Sequence, residues 1–123
     1  DLQYKIKESI ISIFKANGFI PPKREEIIEA SAADYNEGEE VFNSLLDKGE
    51  IVKLNEEVYM HRDDYEKAVH LLKDHINKNG HITVAEYRDL LNTNRKVALA
   101  LLEYFDMIKL TRREGNQRKL MNA

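Results

Sequence analysis

The sequence contains no cysteine, which excludes disulfide bonds and every zinc site built from thiolate ligands. It also lacks an apolar run near the roughly 20 residues that a membrane-spanning helix requires. No glycine-rich phosphate loop, no nucleophile with a nearby base and no metal-ligand motif is present. We therefore expect a non-catalytic chain without cofactor, metal or membrane contact. The absence of cysteine favours a reducing compartment, so we expect a cytoplasmic location.

Positive charge is scarce in the first half of the chain. Residues 1–61 hold 7 Lys+Arg against 13 Asp+Glu, a balance of −6, whereas residues 62–123 hold 12 against 9, a balance of +3. Such asymmetry between halves predicts different roles for them. A polyanionic partner is expected to bind the C-terminal half.

Apolar spacing predicts the same order of elements twice. The first copy has helices over 2–17, 23–32 and 39–48, followed by strands over 51–54 and 57–60 around a two-residue turn, Asn55-Glu56. Three helices followed by a hairpin form a winged helix. The fold class is therefore mainly α with small β-hairpins, in two tandem winged-helix domains, 1–61 and 62–123.

The second copy has predicted helices over 62–79, 84–91 and 94–106 and wing strands over 108–112 and 118–121. Thr83 with Glu86 three residues later has the pattern of a capping box. Asn17-Gly18 aligns with Asn79-Gly80 at an offset of 62, but Leu45-Leu46 aligns with Leu101-Leu102 at an offset of 56. This difference predicts a longer connection between the second and third helices of the first copy.

The segment from Leu90 to Leu102 has the pattern of a helix-turn-helix. Asn92-Thr93 forms its turn, and Arg95 and Lys96 occupy the first turn of the second helix. Cations at a helix N-terminus oppose the helix dipole, which favours acids there by roughly 0.3–1 kcal/mol. Stability alone would not select them, which favours a polyanionic ligand as the reason for their presence.

Basic residues of the predicted wing join this turn as candidate phosphate ligands, although alternation along the strands must turn some of them away. An alternative is that these residues are ordinary solvated charges. The candidate nucleic-acid-binding residues are Arg88, Thr93, Asn94, Arg95, Lys96, Arg112, Arg113, Arg118 and Lys119. The corresponding helix of the first copy begins with acids, Glu37, Glu39 and Glu40, so that domain is expected to be a spacer or a protein-contact module.

The ordered segments Ile82–Leu91, Thr93–Lys96, Ala98–Asp106, Thr111–Arg113 and Gly115-Asn116 together resemble the last winged-helix domain of SelB, the bacterial selenocysteine-specific elongation factor family. The resemblance is close over residues 80–121 and weaker before them. In that family a GTPase carries selenocysteinyl-tRNA, and a C-terminal arm of winged helices binds the messenger RNA hairpin (SECIS) that recodes UGA. Asn94 stands where Ser or a small residue is more usual.

The resemblance implies a monomeric, RNA-binding segment of a protein-biosynthesis factor, acting in selenocysteine incorporation. Its partner would be the SECIS hairpin, while GTP binding, the ribosome and selenocysteinyl-tRNA would belong to the parent protein. Two other classes of function fit the residues. A DNA-binding regulator would use the same helix-turn-helix in a major groove, usually as a dimer. A scaffold of tandem winged helices would bind only proteins.

Overall fold

Two compact units, residues 1–65 and 66–123, make up the chain in a computed structural model that describes residues 1–121. Each unit has three helices and a small antiparallel sheet. The helices are α1 Leu2–Asn17, α2 Arg24–Ser31, α3 Tyr35–Asp47, α4 Arg62–Asn79, α5 Val84–Leu91 and α6 Arg95–Met107. The strands are β1 Ile51–Lys53, β2 Tyr59–His61, β3 Ile82–Thr83, β4 Thr111–Glu114 and β5 Gln117–Leu120. This order confirms the winged-helix fold class predicted from the sequence.

The first unit buries its apolar stripes in one core. Ile6, Ile10 and Phe14 of α1 lie in that core with Phe42 of α3, whose ring packs edge-on against Tyr59 of β2 at 5.4 Å between centroids. These residues recur at helical spacing along α1, so burial selects one face of the helix. The apolar pattern that predicted the helix is therefore also what holds the unit together.

Helix α3 begins four residues earlier than the sequence predicted. The predicted helices 23–32 and 39–48 left residues 33–38 between them, but the Asp34 carboxylate accepts a hydrogen bond from the Asn36 N–H and caps the first turn of α3. Gly38 is buried within the helix. A Cβ at this position would lie 2.9 Å from Cγ2 of Ile28 and 3.0 Å from Cβ of Ala32, so a larger residue would not fit without a shift of its neighbours. The glycine thus allows close packing of α3 on α2 rather than ending a helix.

The first hairpin has a different register from the predicted one. Ile51 pairs with His61 and Lys53 pairs with Tyr59, which leaves a three-residue loop, 55–57, in place of the two-residue turn. The Asn55 side-chain oxygen accepts hydrogen bonds from the N–H groups of Glu57 and Val58 and closes this loop. The Asn55 side chain therefore decides the pairing register of β1 with β2, which the alternation of apolar and polar residues left uncertain by one residue.

The second unit adds a third strand to its sheet, in the order β3-β5-β4. Thr83 ends β3 and caps α5: its Oγ accepts from the Glu86 N–H at 3.1 Å, and the Glu86 carboxylate accepts from the Thr83 N–H at 2.8 Å. The predicted capping box is therefore confirmed. None of the helices within residues 1–121 is both long and apolar enough to cross a bilayer.

The two units correspond at a nearly constant offset. Helices α2 and α5 have 8 residues each and α3 and α6 have 13, and in both pairs the later helix begins 60 positions after the earlier one, at 84 against 24 and at 95 against 35. Three residues separate the second and third helices in both units, 32–34 and 92–94. The predicted longer connection in the first copy, and the offset of 56, are therefore wrong.

Candidate nucleic-acid interface

The turn between α5 and α6 exposes the N-terminus of α6. Asn92 adopts a left-handed conformation, with φ of 52°, and ends α5, and the Thr93 N–H donates to the Arg88 carbonyl at 3.0 Å. The Asn94 side chain then accepts from the Val97 N–H at 3.0 Å and caps α6. Arg95 follows at the first helical position, exposed to solvent.

Strand register divides the basic residues of the wing between two faces. Arg113 lies opposite Arg118, and Arg112 lies opposite Lys119. Residues directly opposite each other in an antiparallel pair share a face, and neighbours along a strand do not. Because Arg118 is buried, the face that it shares with Arg113 is the one that packs on the unit's core. Arg112 and Lys119 lie on the other face.

The turn between β4 and β5 also differs from the prediction. The strands reach Glu114 and Gln117, so only Gly115 and Asn116 form the turn, whereas the predicted strands left residues 113–117 between them. Gly115 supplies a positive φ of 64°, as tight two-residue hairpins require. Residues 108–110, expected in the first wing strand, instead end α6 and connect it to β4.

A cleft of about 350 Å³ lies between the wing and the starts of α5 and α6. Three arginines reach it from three different elements, α6, β4 and β5, and apolar side chains form part of its wall. Its lining residues are Thr83, Val84, Ala85, Arg95, Leu99, Arg113, Asn116 and Arg118. Positive charge next to the positive end of a helix dipole is a suitable environment for phosphate groups.

Of the nine candidate residues, Arg95, Arg113 and Arg118 line this cleft. Thr93, Asn94 and Lys96 are immediate chain neighbours of Arg95, in the turn and first helical turn. The other three candidates lie outside the cleft. Arg88 donates to Asp89 within α5 at 3.0 Å, and Arg112 and Lys119 both pair with Glu114, at 2.8 Å and 3.3 Å.

The structure corrects the expectation of an exposed cation at position 118. Arg118 is 1% exposed, and its Nε and a terminal nitrogen donate to one carboxylate oxygen of Asp106 at 3.2 Å and 3.0 Å. The other oxygen of Asp106 accepts from the Thr111 hydroxyl at 2.7 Å. Sequence gave no sign of this pairing, because the partners are twelve residues apart and meet only through the fold.

Glu114 lies beside two cations of the wing. A hydrogen bond from Lys119, with further help from the charges of Lys119 and Arg112, lowers the pKa of this carboxyl below its ordinary value. The two cations therefore share one carboxylate on the face away from the cleft. Their net contribution to a positive surface is smaller than their number suggests.

Asn116 and the apolar wall of the cleft were absent from the candidate residues. Asn116 could have been found from its place beside Gly115 at the wing tip, where a side chain points outward. Val84, Ala85 and Leu99 gave no signal, because apolar residues on amphipathic helices are more often core than binding surface. Their addition makes the site a cleft with apolar and cationic walls.

The corresponding region of the first unit is acidic and internally paired. Arg24 donates to the Glu39 carboxylate at 3.1 Å and to Asn43 at 3.0 Å, and its guanidinium lies 5.2 Å from the ring centre of Phe42. Glu37 occupies the first turn of α3. This region offers a phosphate a charge opposite to that of the cleft in the second unit.

The known proteins that this chain resembles are translation factors of one kind. A family model described as "Elongation factor SelB, winged helix" matches residues 74–120. The chain is 26% identical over 103 residues, 84% of its length, to the selenocysteine-specific elongation factor of Desulfomicrobium baculatum. It is 34% identical over 76 residues, 62% of its length, to that of Escherichia coli K12. It spans only 16% and 12% of the lengths of these two relatives.

Two solved structures share the fold. One is the mRNA-binding domain of elongation factor SelB from E. coli in complex with SECIS RNA, with a TM-score of 0.82 and 25% identity over 99% of this chain and 98% of that one. The other is a bacterial selenocysteine-specific elongation factor, with a TM-score of 0.76 and 24% identity over 99% of this chain and 19% of that one. The sequence and structural similarities agree: the chain resembles the winged-helix, mRNA-binding part of SelB elongation factors.

Proposed function

We propose that this chain binds the SECIS hairpin of a selenoprotein messenger RNA through the cleft of its second unit. The observation that carries the proposal is the meeting of Arg95 and Arg113 in one cleft, in a fold that matches a SECIS-bound domain along nearly its whole length. The SECIS hairpin is identified as the ligand only by the similarity to that domain. The cleft supplies a place where that ligand can be held.

The shape of RNA limits how the cleft can work. An A-form helix has a major groove too deep and narrow for a protein helix, so RNA readers contact the backbone and unpaired bases. Arg95 and Arg113 would bind phosphates at the hairpin apex. A base splayed from the loop would enter between the apolar wall and the Asn116 amide, which has both a hydrogen-bond donor and an acceptor. The site thus combines charge with a single base pocket.

The role in the parent protein follows from this binding. The segment would be a non-catalytic, monomeric tether in the cytoplasm that holds the factor on its message, while GTP, selenocysteinyl-tRNA and the ribosome bind elsewhere in the parent. The first unit, with a charge balance of −6 over residues 1–61, would serve as a spacer or protein contact. No residue of this chain is assigned to GTP hydrolysis.

A fluorescence anisotropy titration tests the function. We expect the chain to bind a labelled SECIS hairpin more tightly than a duplex DNA of equal length. The logarithm of affinity should fall linearly with the logarithm of salt concentration, with a slope near −1 for each phosphate contacted. A preference for the DNA duplex would instead indicate a transcriptional regulator. Absence of binding to both would indicate a protein scaffold.

Neighbouring arginines on one strand provide a matched pair of variants. Arg113→Ala removes a cation from the cleft, whereas Arg112→Ala removes one from the opposite face, where Glu114 already neutralises it. We expect Arg113→Ala to weaken hairpin binding by about 1–3 kcal/mol, as loss of a charge-assisted hydrogen bond does. Arg112→Ala should change it by less than about 0.5 kcal/mol. Equal losses would place the RNA outside the cleft.

A second pair compares the two units. Arg95→Ala should weaken hairpin binding by at least about 1 kcal/mol. Glu40→Ala in the first unit should leave the affinity unchanged. Equal effects would contradict the assignment of RNA binding to the second unit alone.

A further inference from the structure

The two units differ at one position in each of three elements, and these positions are buried or partly buried. Helices α3 and α6 end with the same pair of hydrogen bonds, in which the Gly49 and Lys109 N–H groups donate to the carbonyls of Leu46 and Asp106. Leu46 therefore corresponds to Asp106.

The strands extend the same comparison. Ile51 and Thr111 each begin the first wing strand. Tyr59 and Arg118 each pair with the third residue of that strand. An apolar trio in the first unit, Leu46, Ile51 and Tyr59, thus corresponds to a polar trio in the second, Asp106, Thr111 and Arg118.

The polar trio is a closed network. The Asp106 carboxylate accepts from Thr111 through one oxygen and from Arg118 through the other, and both donors are 2% exposed or less. The apolar trio occupies the same places by packing, with Ile51 at 2% exposed, Tyr59 at 6%, and Leu46 packed against the core. The winged-helix fold is therefore built with either set.

Stability does not favour the polar set. Arg118 is buried, whereas the Asp106 side chain is 26% exposed. Removing the guanidinium from water costs free energy that its attraction to a carboxylate seldom exceeds by much, and well-packed apolar residues at such positions are often as stable or more stable. The first unit accommodates apolar residues at the same three places. A reason other than stability must account for the polar trio.

We propose that Asp106, Thr111 and Arg118 position the wing for RNA, a role that rests on the proposed function. Arg118 of β5 lies opposite Arg113 of β4 and lines the same cleft, and Asp106 ties it to the last turn of α6. Two hydrogen bonds from the Arg118 guanidinium to one oxygen of Asp106 fix β5 against the helix that carries Arg95. Packing of apolar side chains is less directional, so it leaves the wing free to shift along the helix. Arg118 acts through Arg113 and is a positioning residue.

Transplanting the apolar trio into the second unit tests this inference. The triple variant Asp106→Leu, Thr111→Ile, Arg118→Tyr of the full chain is expected to fold with an unchanged or higher midpoint of thermal unfolding. Residual dipolar couplings of the β4 and β5 amides, measured without RNA, should change while those of α5 stay constant. Affinity for the SECIS hairpin should fall about tenfold, the effect of losing one charge-assisted contact. Arg112→Ala is the control and should change none of these readouts.

A double-mutant cycle separates positioning from structural support. Arg118→Met should weaken hairpin binding in the wild-type background and have no further effect once Arg113→Ala is present, because coupled residues are not additive. Additive losses would overturn the inference, as would unchanged dipolar couplings or failure of the triple variant to fold. If the wild-type chain did not bind the hairpin, the proposed function would fail. The couplings would still decide whether the trio sets the wing.

Discussion

The capping box at the start of α5 gives a stability prediction whose size follows from its two hydrogen bonds. Thr83→Ala removes the hydroxyl that accepts from the Glu86 N–H and leaves that N–H without its cap. Loss of a threonine cap costs about 1 kcal/mol, within a range of roughly 0.5–2. In a unit of about 60 residues, 1 kcal/mol lowers the midpoint of thermal unfolding by about 4–8 °C.

The second hydrogen bond of the capping box, from the Thr83 N–H to the Glu86 carboxylate, should make stability depend on pH. The Thr83 N–H donates to Glu86, and this hydrogen bond lowers the pKa of the carboxyl below its ordinary value of 4.5. A carboxyl whose pKa is lower in the folded state stabilises that state above its unfolded pKa, and the stabilisation is lost as the pH falls through the folded pKa. The wild-type chain should therefore lose stability below about pH 4.5, and Glu86→Gln should lose less over that interval.

The assay is urea unfolding followed by NMR amide signals of α5, which report on the second unit alone. Thr83→Ser is the matched control, because its hydroxyl retains the cap. Equal stability of the Ala and Ser variants would refute the reasoning. The reasoning would also be refuted if the difference in free energy of unfolding between the wild-type chain and Glu86→Gln were the same at pH 6 and at pH 3.

Three further predictions concern single residues. Lys109 has a φ of 63°, and its counterpart Gly49 has a φ of 77°. Lys109→Gly relieves left-handed strain of roughly 1–2 kcal/mol but adds about 0.4–1 kcal/mol of chain entropy to the unfolded state. We expect the variant to be more stable by about 0.5 kcal/mol in urea unfolding, the small difference between these two effects. Gly38→Ala should destabilise the first unit by about 1 kcal/mol in the same assay, because the new Cβ would overlap Ile28; no loss would mean that α2 can shift. Lys119→Ala should raise the pKa of Glu114 in a carboxyl NMR titration, since the hydrogen bond from Lys119 is the largest cause of its lowering; an unchanged pKa would leave Arg112 as the cause.

Helix positions in the second unit were predicted closely, and the reasons are local. Thr83 and Asn94 cap helices through bonds to residues three positions later, and Asn92 tolerates the left-handed turn between them. Local signals of this kind are complete within a few residues of sequence. They fail where a glycine has a tertiary purpose, as Gly38 does inside α3.

Local signals could not predict the pairing register of the hairpins or which face of the wing each cation occupies. A shift of one residue in pairing reverses the face of every side chain, and the alternation of residues 51–60 fits two registers equally well. Asn55 and Gly115 settle the two turns through bonds and backbone angles that only the folded chain shows. The face of Arg112 follows from that register.

By itself the sequence determined the repeat of three helices and a hairpin, the acidic and basic halves, and the exposure of Arg95 at a helix start, because these depend on periodicity, composition and capping. Tertiary structure decided that Arg113 faces the cleft, that Arg112 does not, and that Arg118 is buried against Asp106. The physical reason is that charge is a property of a residue, whereas its direction depends on strand pairing and on partners that are distant in the sequence.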